Sequence, residues 1–499
     1  MVVIGMLLVS CGLVKEQLAT QTDVAATTTF EVLPTTTHIP TFTPTPTITP
    51  TSTSTSIPTL EGLSIPVPDP RITNPELFDL QKPDAPIPQF VNAMKMAGIE
   101  ITAEQVIDGI TFQELRDKAG NLFMVVVYNF NRNSSKQGET FDGPIVLVIA
   151  KQDVNKEWVW SDTLRAYATE FGFNIGTVLQ PQYKSKNLQI EEFNAATVTY
   201  NWQRREQTIG IRTTSYVDKQ LYLAQQTEQP FHLRLSHVSS SDSEPDWLKG
   251  IKSDEELKQV LRNQVRFIIE TYSLKGVTQY NVVNEPFLSS YFPQRLGRDQ
   301  YITIAYEEAN KVRSELIDKA IKNKQEPPVI ELGFSNAENH YSNGYGTQPT
   351  LEILKMLADK GWVDFVDVHF HIKQISKLPS PKDITQTLMK YGQFINKTTR
   401  KPIKVVVGEM DINISHIPVS DRMRLLKQAQ IGQNIFKAIL AAEITDITFW
   451  GAADYDSWYE NGDLSTKEVN ADALLFDDNH QPKPLYYVLL QAMYQNILE

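Results

Sequence analysis

The chain has 499 residues, 41% hydrophobic and 21% charged, so it can bury a large core and form more than one module. Its formal net charge of -12 argues against a nucleic-acid partner, because such binding depends on clustered lysine and arginine; a neutral polymer fits better. The single cysteine excludes an intrachain disulfide and any cysteine-based zinc site.

The N-terminal segment, residues 1–25, starts with the apolar run MVVIGMLLVSCG. This run resembles a bacterial lipoprotein signal, in which Cys11 would be lipidated and become the mature N-terminus. It is too short to span a bilayer as a mature helix, which favours a processed signal. Because no lysine or arginine precedes it, an ordinary secretory signal and a misplaced start remain alternatives. We expect export, as a cell-surface lipoprotein or a secreted protein, with membrane contact only through the lipid.

Residues 26–65 are a linker rich in threonine, proline and serine, as in TFTPTPTITPTSTSTSIPT. Such a composition cannot bury apolar area, so we expect a disordered, extended segment. It would hold the folded part away from the membrane and offers hydroxyl groups for glycans. A plain interdomain spacer is the simpler alternative.

Residues 66–162 are predicted to form a small α+β accessory domain. A helix is expected over 86–97, followed by the strands LFMVVVYNF (122–130) and GPIVLVIAK (143–151), which a turn-rich segment joins as a hairpin or small sheet. Trp158 and Trp160 are candidates for carbohydrate binding, although neighbouring tryptophans are more often part of a core.

Residues 163–499 alternate between strand-like and helix-like segments. Near-continuous apolar strands followed by amphipathic helices, such as 254–273, 298–323 and 422–443, are typical of a parallel sheet covered by helices. Eight such units predict a (β/α)8 TIM barrel. An open doubly wound sheet is the alternative, but no glycine-rich fingerprint follows the first strand. The candidate strands are 174–179, 193–202, 231–238, 277–285, 328–335, 363–371, 404–411 and 446–454.

Two of these strands run into glutamates, in NVVNEPF (Glu285) and VVVGEMDI (Glu409). The carboxyl ends of barrel strands meet at one rim, so both side chains should face one pocket. A carboxylate at the end of a buried strand needs a partner, so these residues are either structural ion pairs or a pair of catalytic acids.

Imidazoles and indoles are predicted at the same rim. His369 and His371 are two positions apart and therefore lie on one side of their strand, and Trp450 and Trp458 follow the last strand. Indoles stack on the C–H faces of sugars while polar groups bind hydroxyls. The combination favours a carbohydrate site.

Ordered motifs between about residues 164 and 493 resemble glycoside hydrolase family 10, the endo-1,4-β-xylanases. A lone Asn-Glu-Pro would be weak support, but the order of the motifs makes chance unlikely to explain them. They are TLRAYATEFGFNIGTV, EEFNAAT, EPDWL, NVVNEP, VDVHFHI, VVVGEMDI, TFWGAADYDSW and LLFDDNHQPKPLYYVLLQAM.

The resemblance implies that Glu285 is the general acid/base and that Glu409 is the nucleophile of a Thr-Glu-Leu-Asp motif, written here Gly408-Glu409-Met410-Asp411. A retaining glycosidase needs two such carboxyl groups about 5 to 5.5 Å apart. It requires no metal and no cofactor.

The resemblance also implies supporting roles. Asn284 would bond the sugar 2-hydroxyl, His371 would bond the nucleophile, and Asp411 would support that histidine. Trp450 and Trp458 match the tryptophans that line the subsites around the cleaved bond.

Several positions depart from the family pattern on the side that holds the glycone. Thr199, Tyr200 and Gln203 stand where the family has Glu, Asn and Lys, and Tyr200 is our candidate for a contact there. The family's Gly-His-Thr-Leu-Val-Trp-His becomes LSHVSSS (235–241), in which His237 recovers the histidine by a one-residue shift.

Other departures lie closer to the glutamates. His369 replaces a glutamine, Tyr280-Asn281 replaces Trp-Asp, and Gly408 replaces threonine.

We therefore expect a monomeric, retaining, endo-acting β-glycoside hydrolase that cleaves β-1,4-xylan or a related plant polysaccharide by double displacement. Lost polar contacts should lower its activity on plain xylan. One alternative is a surface-anchored glycan-binding barrel with little or no turnover. Another barrel hydrolase of the same clan is a third interpretation, disfavoured by GAADYDSW and QPKPLYYVLL.

Overall fold

The computed structural model of the protein describes residues 163–498, except 228, 287–289, 336–345, 374–377, 419–423, 462–469 and 481, together with the backbone of five strands between residues 100 and 160. Cys11, the linker 26–65 and the helix predicted over 86–97 lie outside the described residues. The signal, tether and domain boundaries stay predictions.

An antiparallel sheet precedes the barrel in the chain. Its strands are β1 (Glu100–Ile107), β2 (Ile110–Arg116), β3 (Leu122–Asn133), β4 (Thr140–Gln152) and β5 (Trp158–Trp160). Each strand pairs with the next, so the order is β1-β2-β3-β4-β5. The runs LFMVVVYNF and GPIVLVIAK lie in β3 and β4, which are antiparallel neighbours as predicted. Trp158 and Trp160 lie in β5 at the sheet edge, and their role in glycan binding stays a prediction.

Eight parallel strands of the described part of the chain close into a barrel. They are β6 (Asn174–Val178), β7 (Ala195–Thr199), β8 (His232–Ser236), β10 (Gln279–Asn284), β11 (Glu331–Ser335), β12 (Phe365–Ile372), β13 (Lys404–Ile412) and β14 (Asp446–Phe449); the short β9 (Ser239–Ser240) also pairs with β10. The last strand pairs with the first through Asp446 and Asn174, which closes the sheet. The predicted (β/α)8 barrel is confirmed, and the open sheet was the wrong alternative.

Helices follow the strands, and the described helices include none with both the length and the apolar composition needed to cross a membrane. They are α1 (Leu164–Phe171), α2 (Lys186–Glu192), α3 (Trp202–Arg205), α4 (Ser215–Ala224), α5 (Asp254–Ser273), α6 (Tyr291–Leu296), α7 (Arg298–Lys322), α8 (Thr347–Lys360), α9 (Pro381–Gly392), α10 (Arg424–Leu440), α11 (Trp458–Asn461) and α12 (Pro484–Leu498).

Helix α5 shows why these segments are helical. Ser253 caps its first turn by accepting a hydrogen bond from the Glu256 N–H, and leucines and valine at helical spacing, such as Leu257, Leu261 and Val265, are fully buried. Burying each such side chain contributes about 1.5 to 3 kcal/mol. The predicted helix 254–273 coincides with α5.

Strand β12 brings polar side chains to the centre of the barrel, and all its residues are buried. Successive side chains of a strand point to opposite faces. Asp367, His369 and His371 therefore share the inward face, whereas Val368 and Phe370 belong to the apolar core.

Candidate active site

Glu285 immediately follows β10 and bends the chain there. Its φ of 43° lies in the left-handed region, which costs a non-glycine residue about 1 to 3 kcal/mol and is concentrated at functional sites. Its N–H donates to the carbonyl of Ser335 at the end of β11, 3.1 Å away. The carboxylate Oε1 lies 3.0 Å from His369 Nδ1. The strained turn thus directs the carboxyl group over the barrel mouth.

Glu409 lies on β13 with only 6% of its side chain exposed, among three imidazoles. Its Oε1 is 3.2 Å from His237 Nε2 and 3.5 Å from His369 Nε2, and its Oε2 is 3.0 Å from His371 Nε2. Burial alone would raise the pKa of Glu409, but the charge of His369 and the hydrogen bonds from His237 and His371 hold it well below its usual range. The carboxylate is therefore kept ionised.

Asp411 lies two residues further along β13 and supports His371. The Asp411 Oδ2 atom is 2.7 Å from His371 Nδ1, and it also accepts a hydrogen bond from Trp458 Nε1 at 2.9 Å. Tyr459 donates its hydroxyl to Asp411 Oδ1 at 3.0 Å. Burial alone would lower the pKa of His371, but Asp411 and Glu409 raise it well above its usual value. His371 thus faces Glu409 in its cationic form.

His369 is fully buried between the two glutamates. Its Nδ1 faces Glu285, while its Nε2 is 2.9 Å from Ser335 Oγ and 3.5 Å from Glu409 Oε1. One imidazole therefore contacts both carboxyl groups. Burial would lower the pKa of His369, but Glu409, Glu285 and Asp367 together raise it to about 9.

The two predicted tryptophans lie beside this cluster, each half-buried. Trp450 follows β14 and stacks on His237, with ring centroids 6.2 Å apart and an interplanar angle of 18°. Trp458 begins α11, and its ring is 5.5 Å from that of His371, while Lys373 Nζ lies 4.9 Å above its centroid. Apolar ring surface thus flanks the carboxylates.

Asn284 lies one residue before Glu285 and is buried. Its Oδ1 accepts a hydrogen bond from Asn281 Nδ2 at 3.0 Å, and its own Nδ2 points to Ser240 Oγ at 3.4 Å. Ser240 in turn donates to Asp242. The amide is oriented on both sides, as a group that binds a sugar hydroxyl requires.

Comparison with known proteins identifies the family. The profile of glycosyl hydrolase family 10 matches residues 161–492. The chain belongs to glycosyl hydrolase family 10. A β-1,4-xylanase of Dictyoglomus thermophilum is 26% identical over 258 residues, which are 50% of this chain and 67% of that protein. Endo-1,4-β-xylanase B of Humicola insolens is 22% identical over 343 residues, 65% of this chain and 85% of that one.

Solved structures support the fold. Xylanase 10B from Thermotoga petrophila RKU-1, in complex with xylobiose, superimposes with a TM-score of 0.56 at 21% identity. The match covers 68% of this chain and 99% of that one. At this identity the likeness establishes the barrel, and the roles of individual residues depend on the geometry of this chain.

The side of the site where this chain departs from other family 10 sequences contains a cavity of about 450 Å³. It lies between the segment after β9 and the start of α6, and its lining includes Gln203, Ser241 and Asp242. Glu244 joins the two walls by accepting hydrogen bonds from the backbone N–H groups of Tyr291 and Phe292 at 2.6 and 3.0 Å. Two of the altered positions, Gln203 and Ser241, thus line this cavity.

Tyr200 does not line this cleft, so our prediction of a substrate contact was wrong. Its side chain is 1% exposed and packs against Phe267 of α5, with ring centroids 6.2 Å apart. Burial raises its pKa to about 12. The preceding Thr199 bonds Gln220 of α4 through its N–H at 3.0 Å. The Tyr200 side chain therefore belongs to the layer between the barrel and helix α5.

The other predicted site residues converge. Glu285, Glu409, His371, His369 and Asp411 form one network, His237 joins it, and Asn284, Trp450 and Trp458 adjoin it. Their catalytic and binding roles stay predictions.

Sequence reasoning missed three members of the network: Ser335, Tyr459 and Asp367. Asp367 carried a signal, because it lies two positions before His369 and so shares its side of β12. Tyr459 adjoins Trp458, and Ser335 ends a predicted strand. Asp367 occurs in the quoted motif VDVHFHI, where only the histidines were given roles, whereas Tyr459 and Ser335 lie outside the quoted motifs.

One set of groups in the described part of the chain has metal-ligand character. Ligand-type atoms of His369, His371 and Glu409 all lie within 4.8 Å of one another. The hydrogen bonds among these residues and to Asp411 and Ser335 account for this proximity. We assign the three to the hydrogen-bond network and not to a metal centre.

Gly408 has a steric reason to be glycine. A Cβ at this position would overlap the carboxylate of Asp367, which is fully buried behind His369. The threonine usual in the family would not fit beside this aspartate. Burial raises the pKa of Asp367, against the opposing effect of Arg234 and His369.

We predict that Gly408→Ala destabilises the fold by about 1 to 3 kcal/mol, as other overpacked cores are destabilised. Gly392→Ala is the matched control, because its Cβ would make only ordinary contact, 3.5 Å from Val405 Cγ2. Denaturant unfolding of both variants and the parent chain measures the difference. Equal midpoints for the two alanine variants would contradict the steric explanation.

Proposed function

We propose that this family 10 glycoside hydrolase is a retaining, endo-acting β-glycanase that cleaves β-1,4-xylan or a related plant polysaccharide by double displacement. Glu285 acts as general acid/base and Glu409 as nucleophile. The observation that carries the proposal is the contact of both carboxyl groups with His369, at 3.0 Å for Glu285 and 3.5 Å for Glu409. Two carboxyl groups that contact the same imidazole ring are close enough for the separation of about 5 to 5.5 Å that a retaining mechanism requires.

The first step uses the ionised Glu409. Its carboxylate attacks the anomeric carbon while Glu285 gives a proton to the departing glycosidic oxygen, and the C–O bond breaks. His237 and His371, which hold Glu409 at 3.2 and 3.0 Å, fix the attacking oxygens. Asn284, oriented by Asn281 and Ser240, is suited to bond the 2-hydroxyl.

The second step reverses these roles. Glu285, now a carboxylate, takes a proton from water, whose oxygen displaces Glu409 from the anomeric carbon. The product keeps the β configuration. The half-buried rings of Trp450 and Trp458 supply stacking surface for the sugars on either side.

The altered glycone side argues for a substrate other than bare xylan. Gln203 and Ser241 line the cavity, where the family has a lysine and a tryptophan-containing segment. A missing hydroxyl contact weakens discrimination and binding of the unsubstituted chain. The space of about 450 Å³ is large enough for a sugar substituent.

The proposal is tested by assaying the full chain on unsubstituted xylan, mixed-linkage glucan and decorated xylo-oligosaccharides, with the anomer of the first product followed by NMR. We expect β-configured product and higher kcat/KM on decorated substrates than on plain xylan. High activity on plain xylan would show that the substitutions are harmless. An α-configured first product would exclude retention, and binding without hydrolysis would favour the glycan-binding alternative.

We also propose, from the sequence alone, export of a monomer tethered through Cys11. Loss of labelled-palmitate incorporation in Cys11→Ser tests the lipid, and retained incorporation contradicts it.

A further inference from the structure

Three positions where the chain departs from the family motifs meet at one residue, Asp367. Asn281, in place of aspartate, donates from Nδ2 to Asp367 Oδ2 at 3.3 Å. His369, in place of glutamine, has its Nε2 3.8 Å from Asp367 Oδ1. Gly408, in place of threonine, leaves the space that the carboxylate fills. A buried carboxyl group of β12 thus lies against three altered positions, one of which is a histidine.

The two ring nitrogens of His369 have different surroundings. Nε2 faces oxygen atoms of Ser335, Glu409 and Asp367 at 2.9, 3.5 and 3.8 Å, and the two carboxylates among them favour a hydrogen on this nitrogen. Nδ1 faces Glu285 Oε1 at 3.0 Å. A proton on this axis can lie on the nitrogen or on the carboxyl oxygen.

We propose that His369, positioned by Asp367, shares the catalytic proton with Glu285 and thereby extends hydrolysis to higher pH. The inference rests on the proposed function of Glu285 as acid/base. A glutamine at position 369 can orient Glu285 but cannot hold its proton. The substitution therefore changes the number of proton-holding groups next to the glycosidic oxygen from one to two.

The charges around His369 favour a retained proton. Glu285 faces it from the end of β10, Glu409 from β13 and Asp367 from its own strand, all within 3.8 Å. The opposing positive groups are His371, with ring centroids 5.8 Å away, His237 after β8, and Arg234, whose Nη1 is 3.9 Å from Asp367 Oδ2. Carboxylates are nearest, which agrees with the raised pKa of His369, about 9.

The proton balance of the reaction follows from this pair. In the first step the proton passes from the Glu285–His369 pair through Glu285 to the glycosidic oxygen as Glu409 bonds the anomeric carbon. The pair is then a carboxylate beside a neutral imidazole. In the second step water gives its proton to Glu285, its oxygen displaces Glu409, and the pair regains one proton. No other reactant is needed.

The test replaces the imidazole by the family residue, His369→Gln, and measures kcat/KM against pH on one oligosaccharide. A carboxyl group releases its proton at lower pH than an imidazole, so the alkaline limb should move by at least about one pH unit to the acid side. Asp367→Asn should move it in the same direction by less. His232→Gln, at the opposite end of the barrel, should leave the limb in place. An unmoved limb in His369→Gln overturns the proposal.

A second readout does not need turnover and keeps this inference separate from the proposed function. Imidazole resonances of His369, followed by NMR during a pH titration, should show a midpoint that falls by at least about one pH unit in Glu285→Gln, because removing a carboxylate disfavours the cation. An unchanged midpoint overturns proton sharing even if the chain hydrolyses glycans. A shifted midpoint in a chain that does not hydrolyse glycans would support the shared proton and contradict the proposed hydrolase function.

Discussion

Glu409→Ala is expected to lower the hydrolysis rate by at least on the order of 10⁴-fold, the scale on which a nucleophile acting with its partners contributes. The reason is the loss of the carboxylate that attacks the anomeric carbon, in a site where three histidines hold that oxygen pair in place. Added azide should restore cleavage of an activated aryl glycoside and give the glycosyl azide of inverted configuration. Product NMR and stopped assays measure both effects.

Two further variants make this result specific. Glu326→Ala removes an exposed glutamate between α7 and β11 and should keep the parental rate. Glu409→Gln keeps the size of the buried side chain, so its unfolding midpoint separates lost chemistry from lost stability. A Glu409→Ala variant with parental activity would show that another group is the nucleophile. If the parent chain does not hydrolyse glycans, and it and Glu409→Ala bind them equally well, the result would favour the glycan-binding alternative.

Glu285→Ala is expected to reduce kcat on natural glycosidic bonds by about 10²- to 10⁴-fold, the usual contribution of general acid catalysis. Substrates with good leaving groups need little protonation, so an activated aryl glycoside should lose much less in its first step. The comparison of oligosaccharide and aryl glycoside rates in parent and variant measures the effect. Azide should here trap the glycosyl-enzyme as the product of retained configuration, opposite to that of Glu409→Ala.

Equal losses on both kinds of substrate would contradict the acid role. They would instead indicate that Glu285 acts by holding His369, which it contacts at 3.0 Å. The same exposed Glu326→Ala variant serves as the control.

The barrel could be predicted because its strands are covered on both faces. Burial on both faces makes β10 and β13 apolar runs, and a polar residue at their ends is conspicuous. The position of Glu285 and Glu409 at one rim of the barrel could therefore be predicted, as could the location of His369 and His371 on the same side of β12. Helix α5 could be bounded because Ser253 and the periodic leucines mark its face.

The limits of the prediction have equally specific causes. Tyr200 was assigned to the cleft by alignment alone, and alignment does not give the direction of a side chain at the end of a strand. Asp367 and Gly408 explain each other only in space, since 41 positions of sequence separate their numbers while their atoms compete for one volume. The five-stranded sheet was predicted only in its two longest strands, β3 and β4.

The alternation along β12 has a consequence for how this enzyme can change. Asp367, His369 and His371 reach the reaction centre only while odd-numbered positions face inward, so inserting one residue at the start of the strand would put Val366, Val368 and Phe370 in their places. The charges that Asp367, His369 and His371 place around Glu285 and Glu409 therefore depend on the uninterrupted alternation of this one strand.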